Sequence, residues 1–523
     1  MSLEEKSMEK EQIELKTIFG FICLVFAGAV LCPLLILLSK SFIQPSGQLG
    51  WGNYLAVLQN QEFMVSLQHS FTVSGLEAAI TVGLAFLLAY GLHYTNLPNK
   101  LKSLVQVFII LPMFLPTLTY GFAVMYSLGK QGLITKLAGG QLFSIYGFWG
   151  LLISYVIYTL PPAFILLYNA FKYVDKHFIV VSQIMGDSPI KTFYITSVRP
   201  MMGTIAASFI LSFFLSFTDF GIPASIGGQY TVVATQLYMV MMGAVPDFQS
   251  GSAIAVIMLI PSIVALGLLR VSERFNFRYN KISTFSLPQD RLRDALFAVL
   301  YILVIAAILS IFAIMFIVPF IKSWPYQITF TTETLQRILN DHSIRTVYIH
   351  SVLVAGATAC IGTVLAYAAA LVNTRSQLPG ICKTLMDACA MITNTVPGMV
   401  LGVAFLFAFT GTPIQNTFII IILLNSVREF TTPYLMIQAS LSKLNASWEM
   451  TGALMGDSWI KTIFRVIIPN TMSTVFQMFS YIFVQALVTI SAIVFVTGAR
   501  TMVMTTKITQ AQYFEKYDEV FVL

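Results

Sequence analysis

Charged residues are scarce in this sequence. Of its 523 residues only 10% are Asp, Glu, Lys or Arg, whereas 57% are hydrophobic. Because a soluble globular protein carries roughly 25% charged residues, the deficit places the chain in the membrane class. The net charge of +7 would suggest nucleic acid as the partner of a soluble protein. Here it has a simpler explanation, because Lys and Arg gather in the cytoplasmic loops of membrane proteins.

Cysteine is scarce too, and so are the patterns of catalytic and metal sites. The five cysteines include no Cys-x-x-Cys pair, so neither a disulfide framework nor a zinc site is expected. No His/Glu cluster has metal-ligand spacing, and no nucleophile–base pairing is recognisable. Gly129-Lys130, the only Gly-Lys pair in a loop, lacks the glycine that a P-loop requires five residues before that pair. The sequence therefore predicts no metal, no cofactor and no ATP site in this chain.

Long hydrophobic runs, in contrast, are abundant. A transmembrane helix needs about 20 mostly apolar residues, and eleven stretches qualify. They cover approximately 17–41, 70–94, 104–128, 146–171, 201–220, 251–270, 297–321, 346–373, 385–410, 417–438 and 470–497. Prolines inside several of them do not disqualify them, because neighbouring helices can satisfy the freed backbone groups. The first run is too long for a signal peptide and is predicted to stay as an anchor.

The distribution of Lys and Arg orients these helices. Three loops, 42–69, 221–250 and 411–416, contain no Lys or Arg at all. The loops on the opposite side hold most of the basic residues. Because basic residues accumulate on the cytoplasmic side, the N-terminal segment 1–16 is predicted to be cytoplasmic.

One eight-residue stretch occurs twice on the predicted cytoplasmic side. It starts at Met185 and returns 270 positions later at Met455, with seven of eight residues identical. We call the segment around the first copy, about 173–200, the first loop, and the segment around the second, about 439–469, the second loop. A doubled polar loop in an apolar chain suggests two equivalent docking points for a two-fold symmetric partner.

The duplication extends beyond the two loops. His69-Ser70 matches His350-Ser351, and Pro116 matches Pro397, both 281 positions later. The basic stretch 271–296 reads as a cytoplasmic linker between a first half, 17–270, with six helices and a second half, 297–523, with five helices and a tail. Both halves start inside, so the repeat is parallel, about an axis along the membrane normal. By analogy with the first half, a further helix is expected after Thr497.

The two loops resemble the coupling loop of binding-protein-dependent ABC importer permeases. That signature is an acidic-alanine run, a glycine, then a hydrophobic residue and a proline at fixed distances. The second copy keeps the spacing from Gly456 to Pro469, whereas the first has one extra residue between Gly186 and Pro200. The acidic-alanine run is replaced by Val180-Val181-Ser182 and by Met450-Thr451-Gly452, with Glu449 one position away. The fused arrangement and the segment Phe217–Pro223 resemble the ferric-iron and 2-aminoethylphosphonate permeases.

This resemblance implies an all-α polytopic membrane protein with two parallel, pseudo-two-fold-related halves, the type I ABC importer fold, and about 11–12 transmembrane helices. The chain would be a multi-pass subunit in the plasma (inner) membrane of a prokaryote. It would import a small solute, either ferric iron or a phosphonate such as 2-aminoethylphosphonate. Its expected partners are two copies of an ABC ATPase subunit, which would hold ATP and Mg, an external substrate-binding (lipo)protein and the bilayer, but no nucleic acid.

An alternative class is an ion-coupled secondary transporter with parallel duplicated halves. It would need carboxylates within the membrane along its pathway and no docking loops. Glu77 is predicted to lie near the outer end of its helix, where water can reach it. The sequence has few other such carboxylates.

The resemblance also assigns site residues. It implies that each loop forms two short helices joined at the glycine, with Asp-Ser capping the second one. The predicted ATPase-coupling residues are Met185, Gly186, Asp187, Ser188, Lys191, Pro200, Glu449, Met455, Gly456, Asp457, Ser458, Lys461 and Pro469. Lys, Arg, Asp and Glu inside the membrane are costly and usually functional.

Four further residues are candidates for the substrate pathway: Asp219, Asn394, Arg428 and Glu429. Arg428-Glu429 suits either a gate or an ion pair to another helix, since adjacent helical residues project about 100° apart and cannot both face one partner. Asp219 suits either a contact with a cationic substrate or with the binding protein, or a cap at the interface. Asn394 suits either a pathway contact or a hydrogen bond between helices. Pro116 and Pro397 predict broken helices near the pathway.

Overall fold

The computed structural model describes residues 3–141, 143–272, 289–324, 327–376, 378–445, 447–455, 457–514 and 516–523. Most of the predicted linker 271–296 lies outside the described residues, and so does Gly456 of the second loop. Helices dominate the described chain. A short antiparallel hairpin is formed by β1 (Ile321–Ser323) and β2 (Gln327–Phe330).

The helices before the predicted linker are α1 Leu3–Phe26, α2 Cys32–Phe42, α3 Gly52–Gln59, α4 Gln61–Tyr94, α5 Asn99–Ile110, α6 Thr117–Leu128, α7 Leu133–Leu137, α8 Phe148–Phe171, α9 His177–Ile184, α10 Pro189–Phe193, α11 Arg199–Thr218, α12 Gly221–Ile226, α13 Val233–Met242 and α14 Phe248–Ser272. Those after it are α15 Arg291–Ile317, α16 Glu333–Leu339, α17 His342–Arg375, α18 Gly380–Thr395, α19 Gly398–Phe409, α20 Phe418–Arg428, α21 Thr431–Leu441, α22 Ser447–Leu454, α23 Trp459–Thr462, α24 Ile468–Val488, α25 Met504–Tyr513 and α26 Tyr517–Val522. Three π turns, Ala27–Leu31, Tyr194–Val198 and Ile463–Ile467, join α1 to α2, α10 to α11 and α23 to α24.

All eleven predicted spans correspond to helical segments of sufficient length. In the described chain, eight are long helices, and three are pairs of helices that are bent at a short break. Two pairs turn by 109° and 104°, at Pro116 and Pro397. Proline has no N–H and keeps the preceding residue out of the helical region, so each proline ends one helix and caps the next. The broken helices predicted at these two prolines are confirmed.

The position predicted for Glu77 is wrong. Helix α4 begins at Gln61, well before the start of the hydrophobic run, because Asn60 caps it by accepting a hydrogen bond from the N–H of Phe63. Glu77 therefore lies in the middle of a 34-residue helix and is 0% exposed. Hydropathy alone missed the polar first turns of this helix.

The same order of elements occurs twice. Helices α4 and α17 both have 34 residues and start 281 positions apart, at Gln61 and His342. In each half a serine on the long helix accepts a hydrogen bond from the backbone at the start of a short later helix. Ser70 accepts from the N–H of Val233 at 2.8 Å, and Ser351 from that of Met504 at 2.6 Å. The repeated His-Ser pair thus marks a contact that both halves make.

The folded chain divides into two compact units. Unit 1 comprises the described residues of Met1–Tyr54, Phe248–Leu259 and Asn340–Gln510. In it α2 packs on α19, and α1 on α17, while α17 also packs on α21 and α24. The first span of the chain is therefore part of the core built by the second repeat.

Unit 2 comprises the described residues of Leu55–Asp247, Ile260–Leu339 and Ala511–Leu523. Its centre is α4 packed on α8 and α11, and α15 packs on α5 and α6. Each unit therefore combines the core of one repeat with the first span of the other. The packing units do not follow the linker, and the sequence halves 17–270 and 297–523 stay a prediction.

Candidate functional site

The first loop consists of two short helices, α9 and α10, which meet at Gly186. Gly186 has φ of +77°, a backbone conformation that only glycine adopts without strain. The hydroxyl of Ser188 accepts a hydrogen bond from the N–H of Lys191 at 3.4 Å and so caps α10. The two helices joined at glycine, as the resemblance implied, are confirmed for this loop.

Asp187 does not cap α10 as expected. Its carboxylate accepts a hydrogen bond from Ser182 at 2.8 Å and pairs with Lys191 at 2.5 Å. These contacts, that of Lys191 first, lower the pKa of the Asp187 carboxyl below its ordinary value. Asp187 therefore ties α9 to α10 across the glycine, and the cap comes from Ser188 alone.

The second loop has the same plan in its described residues, with α22 and α23 as its short helices. Ser458 accepts from the N–H of Lys461 at 3.3 Å, and Asp457 pairs with Lys461. A side chain at Gly452 would meet the hydroxyl of Thr462 at 2.4 Å. Even the methyl group of alanine would crowd Thr462, which accounts for glycine at the position where the family signature has alanine.

The extra residue of the first copy lies within its second helix. Helix α10 has five residues and α23 has four, and each runs into a π turn. Pro200 and Pro469 then both stand two residues after the end of the π turn, at the second position of the following helix. The two loops therefore reach the same arrangement despite the different spacing.

Apolar side chains cluster exposed at the tip of each loop. Ile184, Met185 and Ile190 are 80%, 76% and 83% exposed, and Leu454 and Met455 are 77% and 79% exposed. Contiguous exposed apolar patches mark interaction sites. The loop tips are therefore candidate docking surfaces.

Two of the candidate pathway residues have contrasting settings. Asp219 follows the last residue of α11, is buried, and accepts a hydrogen bond from the N–H of Ile222 at 2.8 Å. It thus caps the short helix α12. Asn394 lies exposed near the end of α18. Its neighbour Thr393 makes the buried hydrogen bond, at 2.8 Å to Thr431.

Arg428 and Glu429 lie at the break between α20 and α21. The helix ends at Arg428, so the fixed angle between adjacent helical residues does not apply. Nε of Arg428 is 3.6 Å from the Glu429 carboxylate, and its Nη1 donates to Thr489 at 3.1 Å. The two side chains therefore form an ion pair with each other, and Arg428 also reaches Thr489.

Two buried side chains, Glu77 and Arg375, were not among the predicted site residues. Glu77 accepts hydrogen bonds from Thr81 at 3.2 Å and Thr159 at 2.8 Å deep in unit 2. Arg375 is the last residue of α17 and contacts the second loop. The available signal for Arg375 was a basic residue two positions after the predicted span 346–373. Among the described residues no group of three His, Cys, Asp or Glu side chains could hold a metal ion.

Comparison with known proteins shows which proteins this chain is similar to. Residues 81–278 match the model of the binding-protein-dependent transport system inner membrane component. The chain is also 26% identical over 520 residues to the putative ferric transport system permease protein FbpB 1 of Haemophilus influenzae, which covers 95% of this chain and 80% of the relative.

The chain therefore carries, over residues 81–278, the domain of this permease family. It is the permease subunit of an ABC importer, with the all-α type I fold predicted from the sequence. The ion-coupled secondary transporter, which the duplicated halves also allowed, is thereby set aside.

Two other relatives cover about half of this permease. The spermidine/putrescine transport system permease protein PotC of Escherichia coli (strain K12) is 25% identical over 252 residues, 47% of this chain and 89% of the relative. A chain of a bacterial alginate ABC transporter, solved in complex with an alginate-bound periplasmic protein, has a TM-score of 0.44 and 15% identity, and covers 52% of this chain and 98% of that chain.

Proposed function

We propose that this permease imports ferric iron into the cytoplasm with energy supplied by a separate ATPase. The observation that carries the proposal is the similarity to a ferric transport permease along 95% of the chain. A permease of this family receives its solute from a binding protein, so the permease needs no permanent metal site of its own. A phosphonate and a polyamine are the competing solutes.

The two loops are the proposed docking points for two copies of the ATPase. Three features support this role: both loops fold as two short helices, both expose apolar tips around Met185 and Met455, and both lead by a π turn into a transmembrane helix. ATP binding would close the ATPase pair, move both loops and open the pathway outward. Hydrolysis would then release the solute inside.

Arg428 and Asn394 are retained as proposed pathway residues. Arg428 is 25% exposed on unit 1 within a membrane span. A charged group there avoids lipid and faces protein or water. Glu429 is its buried counterion, and Asp219 is better explained as a helix cap.

Uptake into proteoliposomes tests the solute. The permease is reconstituted with its ATPase, and its binding protein is loaded with radioactive ferric iron. We expect ATP-dependent accumulation that excess 2-aminoethylphosphonate or spermidine does not reduce. Accumulation of either competitor in place of iron would overturn the ferric assignment.

Co-purification tests the docking. Replacing Met185 and Met455 together by Glu places charges on both apolar tips, and we expect ATPase co-purification to fall at least roughly tenfold. Val245→Glu, an exposed apolar position outside both loops and outside the candidate membrane spans, is the matched control. Undiminished assembly of the double variant would contradict docking at the loops.

A further inference from the structure

Arg375 connects three successive parts of unit 1. It ends α17, and its side chain is only 7% exposed. Its Nη2 donates to the carbonyl oxygens of Leu441 at 2.9 Å and Leu444 at 2.8 Å, and its Nη1 lies 3.4 Å from the carboxylate of Glu449. Leu441 ends α21, and Glu449 lies in the first turn of α22. One guanidinium therefore joins the end of the long helix to both the entry and the first helix of the second loop.

The chemistry of this contact is specific to arginine. The last carbonyl groups of a helix have no partner within it and carry partial negative charge. A planar guanidinium presents five N–H donors in a rigid fork, so it can hold two carbonyl oxygens and a carboxylate at once. A lysine has the same charge but a single point of contact. Because Arg375 is buried, its charge is stable only while these partners surround it.

The first loop makes a corresponding contact with the long helix, but the positions of the cation and its partner are reversed. There the cation is on the loop: Nζ of Lys176 donates to the carbonyl oxygen of His93 at 2.8 Å and lies 5.5 Å from the centre of the Tyr94 ring. Tyr94 ends α4 and occupies the position equivalent to Arg375, 281 residues earlier. Lys176 immediately precedes α9. In both halves, then, a cation joins the end of the long helix to the entry of the loop.

We propose that Arg375 is a positioning residue that makes the second loop and helix α17 move as one body. This inference rests on the proposed docking of an ATPase at the loops and adds the link by which the docked loop moves the membrane helices. Displacement of α22 by the ATPase would pull on Glu449 and on the end of α21. Arg375 passes that displacement to α17, which packs on α21 and α24.

The experiment separates docking from transmission. Arg375→Met, Arg375→Lys and Glu449→Gln are compared in the reconstituted complex by three measurements: ATPase co-purification, ATP hydrolysis, and solute accumulated per ATP hydrolysed. Lys100→Met removes an exposed positive charge outside both loops and is the matched control.

We expect Arg375→Met to assemble normally and hydrolyse ATP but to lose at least roughly tenfold in solute per ATP. Arg375→Lys does not rescue it, because lysine cannot reach three acceptors. Glu449→Gln falls in between, since the two carbonyl contacts remain. Full coupling in Arg375→Met overturns the proposal, and so does rescue by lysine.

A distance measurement keeps the proposal testable if Arg375→Met does not fold. Spin labels are placed at Thr374 on α17 and Ser447 on α22 in a variant whose five native cysteines are replaced. We expect the distance between the two labels to be the same in the nucleotide-free and the ATP-bound complex, because Arg375 holds both helices together. A change of this distance between the two states overturns the proposal that Arg375 makes the loop and α17 move as one body. Failure of the unmodified chain to bind any ATPase would instead overturn the proposed function.

Discussion

Each half of the repeat carries one acid at a pair of aligned positions, but not at the same member of the pair. In the first half it is Glu77 on α4, facing Thr159 on α8. In the second half Thr358 occupies the position of Glu77, 281 residues later, and Glu429 occupies that of Thr159, 270 residues later. The repeat therefore keeps one acid and one threonine at this pair of aligned positions, and the two are exchanged between the halves.

The surroundings of the two acids differ. Glu77 is held by hydroxyl groups, whereas Glu429 has Arg428 beside it. The buried face of α11 continues the polar character of the first half with Ser208, Ser212 and Ser216, at intervals of four residues. The equivalent face of α24, 270 positions later, is Met478, Ile482 and Ala486. Small polar residues let helices approach closely in a membrane, so the first core is a hydroxyl-rich seam and the second a conventional apolar contact.

The largest effect on stability is expected from removing the carboxylate of Glu77 in the first half. Glu77→Ala leaves the hydroxyls of Thr81 and Thr159 without their acceptor and opens a cavity, so unfolding free energy in mixed micelles should fall by about 3 kcal/mol. Glu77→Gln keeps an acceptor oxygen of the same size and should cost less than about 1 kcal/mol.

The second half supplies the matched control for Glu77. Thr358 is fully buried, and its hydroxyl has no hydrogen-bond partner among the described residues. Thr358→Val should therefore leave stability unchanged or raise it. Equal losses in Glu77→Ala and Thr358→Val would show that the two cores do not differ in this way.

Equivalent glycines on α6 and α19 give the next effect. A methyl group at Gly402 would lie 2.3 Å from the backbone oxygen of Ala492, whereas one at Gly121 would meet the side chain of Ser225. Backbone cannot move aside as a side chain can, so Gly402→Ala should cost about 2–3 kcal/mol and Gly121→Ala less. Unfolding free energies of the two variants check the order. Adding Ser225→Ala should partly rescue Gly121→Ala, and no rescue would contradict the contact.

The comparison also shows what the sequence could reveal. All eleven spans and both proline breaks follow from hydropathy and from proline's missing N–H, which are local properties of the chain. The doubled loops were identified because an internal repeat is visible without any structure. The pairing of Arg428 with Glu429 could not be identified from the sequence, because it depends on where α20 ends. Two features are long-range, and no local pattern encodes them. Each unit contains the first span of the other repeat, and Arg375 contacts Glu449.

A smaller effect is expected within the loops. Ser182 and Gly452 hold equivalent positions, and the hydroxyl of Ser182 lies 3.0 Å from that of Thr192. Gly452→Ser should push α22 away from Thr462 and weaken ATPase co-purification by a few-fold, about 1 kcal/mol. Ser182→Gly removes the hydrogen bonds of that hydroxyl to Asp187 and Thr192 but displaces no helix, and it should have less effect. If Ser182→Gly is the more harmful, the close approach at Gly452 is not what positions the second loop.

The smallest expected effect distinguishes the two loop aspartates. Asp187 holds both Lys191 and Ser182, whereas the described contact of Asp457 is with Lys461. Asp187→Asn should therefore weaken its loop more than Asp457→Asn, measured as thermal unfolding of the assembled complex. At high salt the ion pairs are screened, so the difference that remains comes from Ser182.

Because the folded pKa of Asp187 is depressed, its contribution to stability is complete above the ordinary aspartate pKa and disappears as the pH falls through the folded value. The gap between wild type and Asp187→Asn should accordingly be constant near neutrality and close only in acid. A gap that closes at neutral pH would show that Lys191 and Ser182 do not hold this carboxylate in solution.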